Sequence, residues 1–535
     1  MTHASAPSSG PARAPAAAPW SEVWTLAGAS ALLALALGLY LNLRLNYVVG
    51  DAMSRVANAS YVLFSRDPHL AAIGFIWNPL PSLLELPLVA LRPLLPALVT
   101  RAVAGIVVSA AFQGIGVGAM DRLIGRLGIA RPTRVALVVA YGLNPLVLLY
   151  GANGMSDIML LATTVAAIDA TVAFVREERL SALIAAALWL AIAFLVRYEA
   201  PAPALALALG IVLAEVRRAR SPARIEAYVL TLLAPIVYSG FLWMFMNWLI
   251  MKNPLYFVTS QYGNAAQTAT GAYATPALRA AHHSLVGTVV YALHLSLLFW
   301  PVLPLSALAL ILWLGDRRRR DHLLPVLFLG AVSVPVFESV FIFFGRSAGW
   351  DRFFLADIPG GILLAAWCLG QVGARWRRLG AILTVGVVLA GDVGTLVALH
   401  DPRIAVGDQG AVATILAGDR FHPFAGTAAV DAYVNAHPHA VILADSFDSW
   451  AIILRAARPR QFVITSDIDF ASVLANPRGR VTWILVPEPT GLSTLDAVNR
   501  QYPHLWAGGV AWTRLVRSFP GPSHDRLYAV LADAP

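Results

Sequence analysis

Apolar residues in this chain come in long, nearly unbroken runs, not in the mixed spacing of a soluble domain. A helical run of about 20 such residues crosses the roughly 30 Å of hydrocarbon in a bilayer. The first covers residues 24–43, and others fall at about 101–119, 133–150, 156–174, 181–196, 200–215, 227–250, 285–314, 323–344, 353–371 and 379–398. The pattern predicts a polytopic α-helical membrane protein with about eleven transmembrane helices. The first run has no small-residue cleavage site, so it is expected to be retained as a span.

Three stretches depart from this pattern. Residues 1–19 are rich in Ala, Pro and Ser and are expected to form a disordered cytoplasmic tail. In the first loop, 44–99, Met53, Val56, Ala57, Tyr61 and Phe64 recur at helical spacing, which predicts an amphipathic helix on the membrane surface. Beyond residue 400, short β-branched runs at 439–445, 461–465 and 481–487 alternate with helical segments near 447–457 and 468–475. A closing strand pair flanks the turn ProGlyPro at 520–522. The expected organisation is a tail (1–19), a transmembrane domain (20–399, with a second long loop at 251–284) and a C-terminal extracytoplasmic α/β domain (400–535).

Composition removes the soluble alternatives. The chain is 58% hydrophobic and 13% charged, against about 25% charged in an ordinary globular protein. That excludes a soluble enzyme, a disordered chain and a coiled coil. Lys252 is the one lysine in an Ala-rich chain, as in GC-rich bacterial genomes. The net charge of +9 is explained by topology. Arginines gather in loops 119–134, 175–180, 215–226, 315–322 and 372–378, all on one side, which the positive-inside rule places in the cytoplasm. The N-terminus is then cytoplasmic in the inner (plasma) membrane, and an odd number of spans leaves residues 400–535 outside. No nucleic-acid partner is expected, because arginines and acids nearly balance in that tail. It holds no GxGxxG or P-loop, and the lone Cys368 excludes an intrachain disulfide or a cysteine cluster.

The candidate chemistry sits in the loops opposite the arginine-rich ones. Asp51, just beyond the first span, is placed to act as a general base where a lipid-borne substrate meets one from water; capping its helix is the plain alternative. Asp157 stands at the mouth of another helix, as an acceptor or metal ligand or again as a cap. Arg197, Lys252, Arg346 and Arg352 run against the positive-inside trend and suit a phosphate; snorkelling to headgroups, or pairing of the last two with Asp351, would also account for them. Arg55, His69, Asn78, Tyr262 and His282 are possible accessories, the histidines reading equally as solvated or turn residues.

With these residues in order, the chain resembles the GT-C fold glycosyltransferases, membrane enzymes that use polyprenyl-phosphate sugars and include protein mannosyltransferases and aminoarabinose transferases. GlyAspAlaMetSerArg after the first span is similar to the family's acidic motif, TrpAsnProLeuPro to its Pro-rich segment and AsnGlyMetSerAsp to its second acidic loop. PheLeuValArgTyrGlu and AspArgPhePheLeuAlaAspIlePro resemble its late arginine motifs. Asn78 departs from the lysine of several relatives, and the first loop has one Asp where mannosyltransferases have an adjacent acidic pair. The resemblance implies inverting transfer from a polyprenyl-phosphate sugar donor to a glycan, lipid or protein hydroxyl on the external face. Asp51 would be the base and the arginines and Lys252 the phosphate ligands, with Mg2+ or Mn2+ an option at Asp157. A secondary transporter and a non-catalytic polysaccharide-assembly subunit are the rivals; scarce intramembrane charge and the absence of an inverted repeat speak against the first.

Overall fold

The computed structural model describes residues 18–299, 301–315, 321–401, 407, 409–521 and 523–531. Most of the expected N-terminal tail, the arginine run 317–320 and Pro522 lie outside the described residues. Seven helices are long and apolar enough to cross a membrane: Trp20–Leu45, Val103–Arg126, Asp157–Glu177, Pro222–Met251, Leu324–Phe343, Asp351–Gly370 and Ala374–Ala398. Two bent pairs bring the number to nine: Arg131–Leu143 with Pro145–Ala152, at 57°, and Leu285–Phe299 with Val302–Gly315, at 99°. Leu180–Val196 and Pro201–Arg217, of 17 residues each, fill the other two expected positions. At about 1.5 Å per residue they reach only the short end of what spans a bilayer. The chain is a multi-pass membrane protein.

Local chemistry explains the first bend. Pro145 has no N–H and pushes the preceding residue out of helical geometry. Asn144 accordingly has ψ 132°, and its side-chain Oδ1 caps the next helix by accepting from Leu146 N and Val147 N. Elsewhere the helices approach closely through small residues, as expected where lipid removes the hydrophobic drive between them. A Cβ at Gly114 would lie 2.7 Å from the Ala27 carbonyl oxygen, and one at Gly38 would lie 2.3 Å from that of Ala152.

The arginine-rich end is held by ion pairs more than by loose loop charge. Arg134 Nε meets Asp121 at 2.8 Å, Arg131 Nε meets Glu22 at 2.6 Å and Arg126 Nε meets Asp169 at 2.8 Å. Arg126 and Arg134 are buried. Burying a guanidinium is tolerable only with a partner of this kind.

The tail folds as a five-stranded sheet: β1 (Ile442–Leu443), β2 (Phe462–Val463), β3 (Trp483–Val486), β4 (Thr513–Ser518) and β5 (Arg526–Val530), in the order β2-β1-β3-β5-β4. The first three pair in parallel, and β5 adds antiparallel to β3 and β4. This is the expected parallel sheet with its closing strand pair. Helices Ser446–Arg455 and Phe470–Ala475 follow β1 and β2.

One expectation is corrected here. The helix Gly50–Phe64 does form, but its apolar stripe does not lie against the membrane surface. Met53, Val56, Ala57 and Tyr61 are buried in a core shared with Val99 and Val103 below and with Ile442, Ile452 and Ile453 of the tail above. The tail supplies the cover because it docks onto this loop. Arg66 Nε meets Asp467 at 3.1 Å, Arg92 Nη2 donates to the Ala456 carbonyl at 3.0 Å and Ile468 N donates to Asp67 at 3.1 Å.

The tail also carries an acidic group of buried Asp445 and Asp496 with half-buried Asp448. Burial and then the Asp445 charge push the Asp448 carboxyl from 3.8 up to about 7. Its Oδ1 accepts from Ser493 at 3.0 Å, and its Oδ2 is buried without a partner. An acid with a raised folded-state pKa binds its proton more tightly folded than unfolded, so stability is lost as pH rises from the unfolded value through the folded one. The unfolding midpoint is expected to fall between about pH 4 and pH 7, and Asp448→Asn to flatten that fall. Scanning calorimetry over this range checks it; a variant with the wild-type slope would refute the assignment.

Candidate active site

Asp51 does not cap its helix. Val49 is the N-cap, no side chain caps there, and Asp51 stands second in the helix. Its carboxylate is 63% exposed and reaches Arg352 Nη2 at 2.8 Å, across 301 residues. The helix N-terminus favours the negative charge without consuming it in a cap. Arg352 is placed by the short turn Asp351–Phe354, which opens the helix Asp357–Gly370. Asp351 is not its ion-pair partner: that carboxylate accepts the Arg352 backbone N–H at 2.8 Å. The guanidinium lies over the Trp350 ring at 4.0 Å, its side chain is only 12% exposed, and its Nε is buried with no partner.

A second pair lies behind the first. Asp157 opens the helix Asp157–Glu177, and its Oδ1 meets Arg197 Nη1 at 3.0 Å. Its other oxygen is buried and unpartnered. Arg197 follows the helix Leu180–Val196 in extended backbone, and its Nη2 also meets Glu199 at 2.5 Å. Asp157, Thr164, Arg197, Glu199, Arg352 and Phe353 line one cleft, closed on its apolar side by Leu160, Leu161, Val334 and Leu355. The cleft therefore gathers Asp157, Arg197 and Arg352, with Asp51 held at its edge by Arg352.

Two accessory residues support this arrangement from outside the cleft. Arg55, one turn beyond Asp51, donates to the Asn78 carbonyl at 2.9 Å and lies within electrostatic reach of Asp51 and Arg197. Asn78 is buried, and its amide donates to the Phe194 carbonyl at 2.5 Å, so it ties the Pro-rich segment to a neighbouring helix.

Five residues stand away from the cleft. Arg346 is exposed, and its carbonyl accepts from Asn264. Lys252 is exposed and donates to the Leu249 carbonyl at 2.9 Å, closing its own helix. Tyr262 donates to Asp445 Oδ2 of the tail at 2.6 Å. His69 Nδ1 lies 2.7 Å from the Asp67 carbonyl, a turn contact. His282 follows the helix Pro276–Ala281 and packs against Gly345, with its Nε2 buried and unpartnered.

Sequence reasoning missed three carboxylates. Glu199 is one residue beyond the ArgTyr pair and takes the second edge of Arg197. Glu338, inside the helix Leu324–Phe343, accepts from Ser347 at 3.0 Å and lies within electrostatic reach of Arg197 and Glu199. Glu85 is fully buried in the Pro-rich segment with one oxygen unpartnered and Arg55 within electrostatic reach. An acid inside an apolar run was the available signal in both of the last two cases.

Among the described residues no three or more His, Cys, Asp or Glu side chains converge to hold a metal. At Asp157, Oδ1 meets Arg197 and Oδ2 is the oxygen left without a partner.

No family model matches the sequence, and no curated protein sequence does. Solved structures do match. ArnT from Cupriavidus metallidurans bound to undecaprenyl phosphate superposes with a TM-score of 0.57 at 14% identity, over 97% of this chain and 99% of that one. The same protein in the apo state gives 0.54 at 14% identity, over 96% and 99%. An Archaeoglobus fulgidus oligosaccharyltransferase in the apo form gives 0.44 at 10% identity, over 93% and 80%. The ArnT match runs through both the helical bundle and the tail, so the chain has the GT-C fold.

Proposed function

We propose that this protein is an inverting glycosyltransferase that moves a sugar from a polyprenyl-phosphate carrier to an acceptor hydroxyl of a glycan, lipid or protein. The single observation that carries the reading is the Asp51–Arg352 pair, a water-facing carboxylate on a buried guanidinium at the edge of a charged cleft. The fold adds support, since the similar ArnT structure holds undecaprenyl phosphate. The arginine-rich loops support a cytoplasmic position for that end under the positive-inside rule, with the cleft and the tail on the external face of a bacterial inner membrane.

The chemistry follows from which charges are already satisfied. Arg197 is neutralised by two enclosed carboxylates, Asp157 and Glu199, so it orients Asp157 and is a poor landing point for another anion. Arg352 has one exposed partner and a free Nε facing inward, so an arriving phosphate takes Arg352 and releases Asp51. The freed carboxylate accepts the proton of the acceptor hydroxyl as its oxygen attacks the anomeric carbon. The bond from that carbon to the phosphate oxygen breaks on the opposite face, which inverts the configuration. Arg352, whose own side chain is largely enclosed, stabilises the charge that develops on the departing phosphate. No step passes through a metal.

Asp51→Asn is expected to lower the rate of transfer by about 100-fold or more, the usual worth of a positioned base, with the unfolding midpoint unchanged. Release of label from radiolabelled polyprenyl-phosphate sugars, with a membrane extract as acceptor, measures it. Equal transfer by wild type and variant would remove Asp51 from the chemistry. Arg352→Lys keeps the charge but loses the guanidinium fork, and is expected to weaken donor binding about 10-fold in the same assay. If the folded wild type moves no sugar from any carrier, the reading fails, and transport in proteoliposomes becomes the next measurement.

A further inference from the structure

The loop between Met251 and Leu285 touches both the tail and the cleft, and a single side chain joins the two contacts. On the tail side, Tyr262 donates to Asp445 Oδ2 at 2.6 Å and its ring tilts onto Phe447 at 5.1 Å. Gln261 Nε2 donates to the Leu495 carbonyl at 3.0 Å, and Arg500 Nη1 donates back to Gln261 at 3.0 Å. On the cleft side, Tyr273 meets Trp350 edge-on at 5.0 Å and 74°. Trp350 is the platform on which Arg352 rests at 4.0 Å, and Arg352 holds Asp51. Tyr273 also lies within electrostatic reach of both Asp51 and Arg352.

Gln267 is the link. It sits in the short helix Asn264–Ala269; its Nε2 donates to the Tyr262 carbonyl at 2.7 Å, and its Oε1 accepts from the Tyr273 hydroxyl at 3.1 Å. Only a carboxamide offers a donor and an acceptor on one rigid plane at this reach. A glutamate keeps the acceptor but sets a carboxylate against the Tyr262 carbonyl. We propose that Gln267 is a positioning residue through which the C-terminal domain, by way of Tyr262 and Tyr273, holds Trp350 and Arg352 in place against Asp51. This extends the transferase reading of the same cleft: the tail domain acts as part of the active-site scaffold.

The test uses the purified full chain, as wild type, Gln267→Ala, Tyr273→Phe and the double variant. Hydrogen exchange comes first, because it needs no substrate and reads local opening. Gln267→Ala is expected to speed exchange across 346–354 about tenfold, with strand β3 unchanged as evidence that the tail still folds. Tyr273→Phe keeps the ring contact and loses only the hydroxyl; it should give the same change, and the double variant no more than either single one, because all remove one linkage. Exchange across 346–354 at the wild-type rate in both single variants would overturn the proposal, as would a fully additive double variant. Affinity for undecaprenyl phosphate comes second and is expected to weaken about fivefold to tenfold in the single variants. Faster exchange with unaltered affinity would overturn the active-site role. A wild type that does not bind this lipid counts against the transferase reading, and the exchange comparison then decides the positioning role alone.

Discussion

A guanidinium or carboxylate at the end of an apolar helical bundle must find an opposite charge, and much of this molecule is arranged by that requirement. At one end Asp121, Asp169 and Glu22 hold arginines that composition alone would assign to loose loops. At the other, Asp157 and Glu199 enclose Arg197, and Asp51 reaches Arg352. Three pairs at the first end place an arginine against an acid of another element. At the second end Asp157 and Arg352 line one cleft, and there Asp157 Oδ2 and Arg352 Nε are buried and unsatisfied. Unsatisfied polar atoms beside a cleft are where a ligand gains most from binding.

Hydropathy made the fold legible because it reports depth. Whether a residue lies in hydrocarbon or outside it depends on run length, and the spans expected at 156–174 and 379–398 fall on the helices Asp157–Glu177 and Ala374–Ala398. The strands of the tail were legible for a similar reason, since β-branched runs between turn residues have few other uses. Asp51 and Asp157 were found because each stands at a helix mouth. The direction a side chain takes was much less legible. Arg346 and Arg352 are six residues apart in one connecting segment, yet one is exposed and the other lies on Trp350 and lines the cleft. Nothing in their spacing separates them. Lys252 was selected for its charge, but a helix C-terminus consumes it. Tyr262 is a possible accessory by sequence, but its partner is 183 residues away in the tail. Long-range partners of this kind are set by tertiary packing, which periodicity does not encode.

The tail is bound into the rest by interactions of several kinds. It covers the stripe of Gly50–Phe64, accepts hydrogen bonds from Arg66 and Arg92, and receives Tyr262 from the second long loop. A surface with an apolar centre and charged or hydrogen-bonded edges is the usual anatomy of a lasting interface. The first loop is consequently a middle layer, packed on the bundle below and on the sheet domain above.

That layering sets an order of events during synthesis. Arg66 leaves the ribosome 401 residues ahead of Asp467, its partner in the tail. At about 5 to 20 residues per second, the stripe formed by Met53, Val56 and Tyr61 waits on the order of 20 to 80 seconds for its cover. Throughout that interval the helix is an amphipathic segment tethered beside a bilayer, and the headgroup region is the apolar-polar boundary it meets first. Only when the tail has followed does the stripe gain the core that buries it.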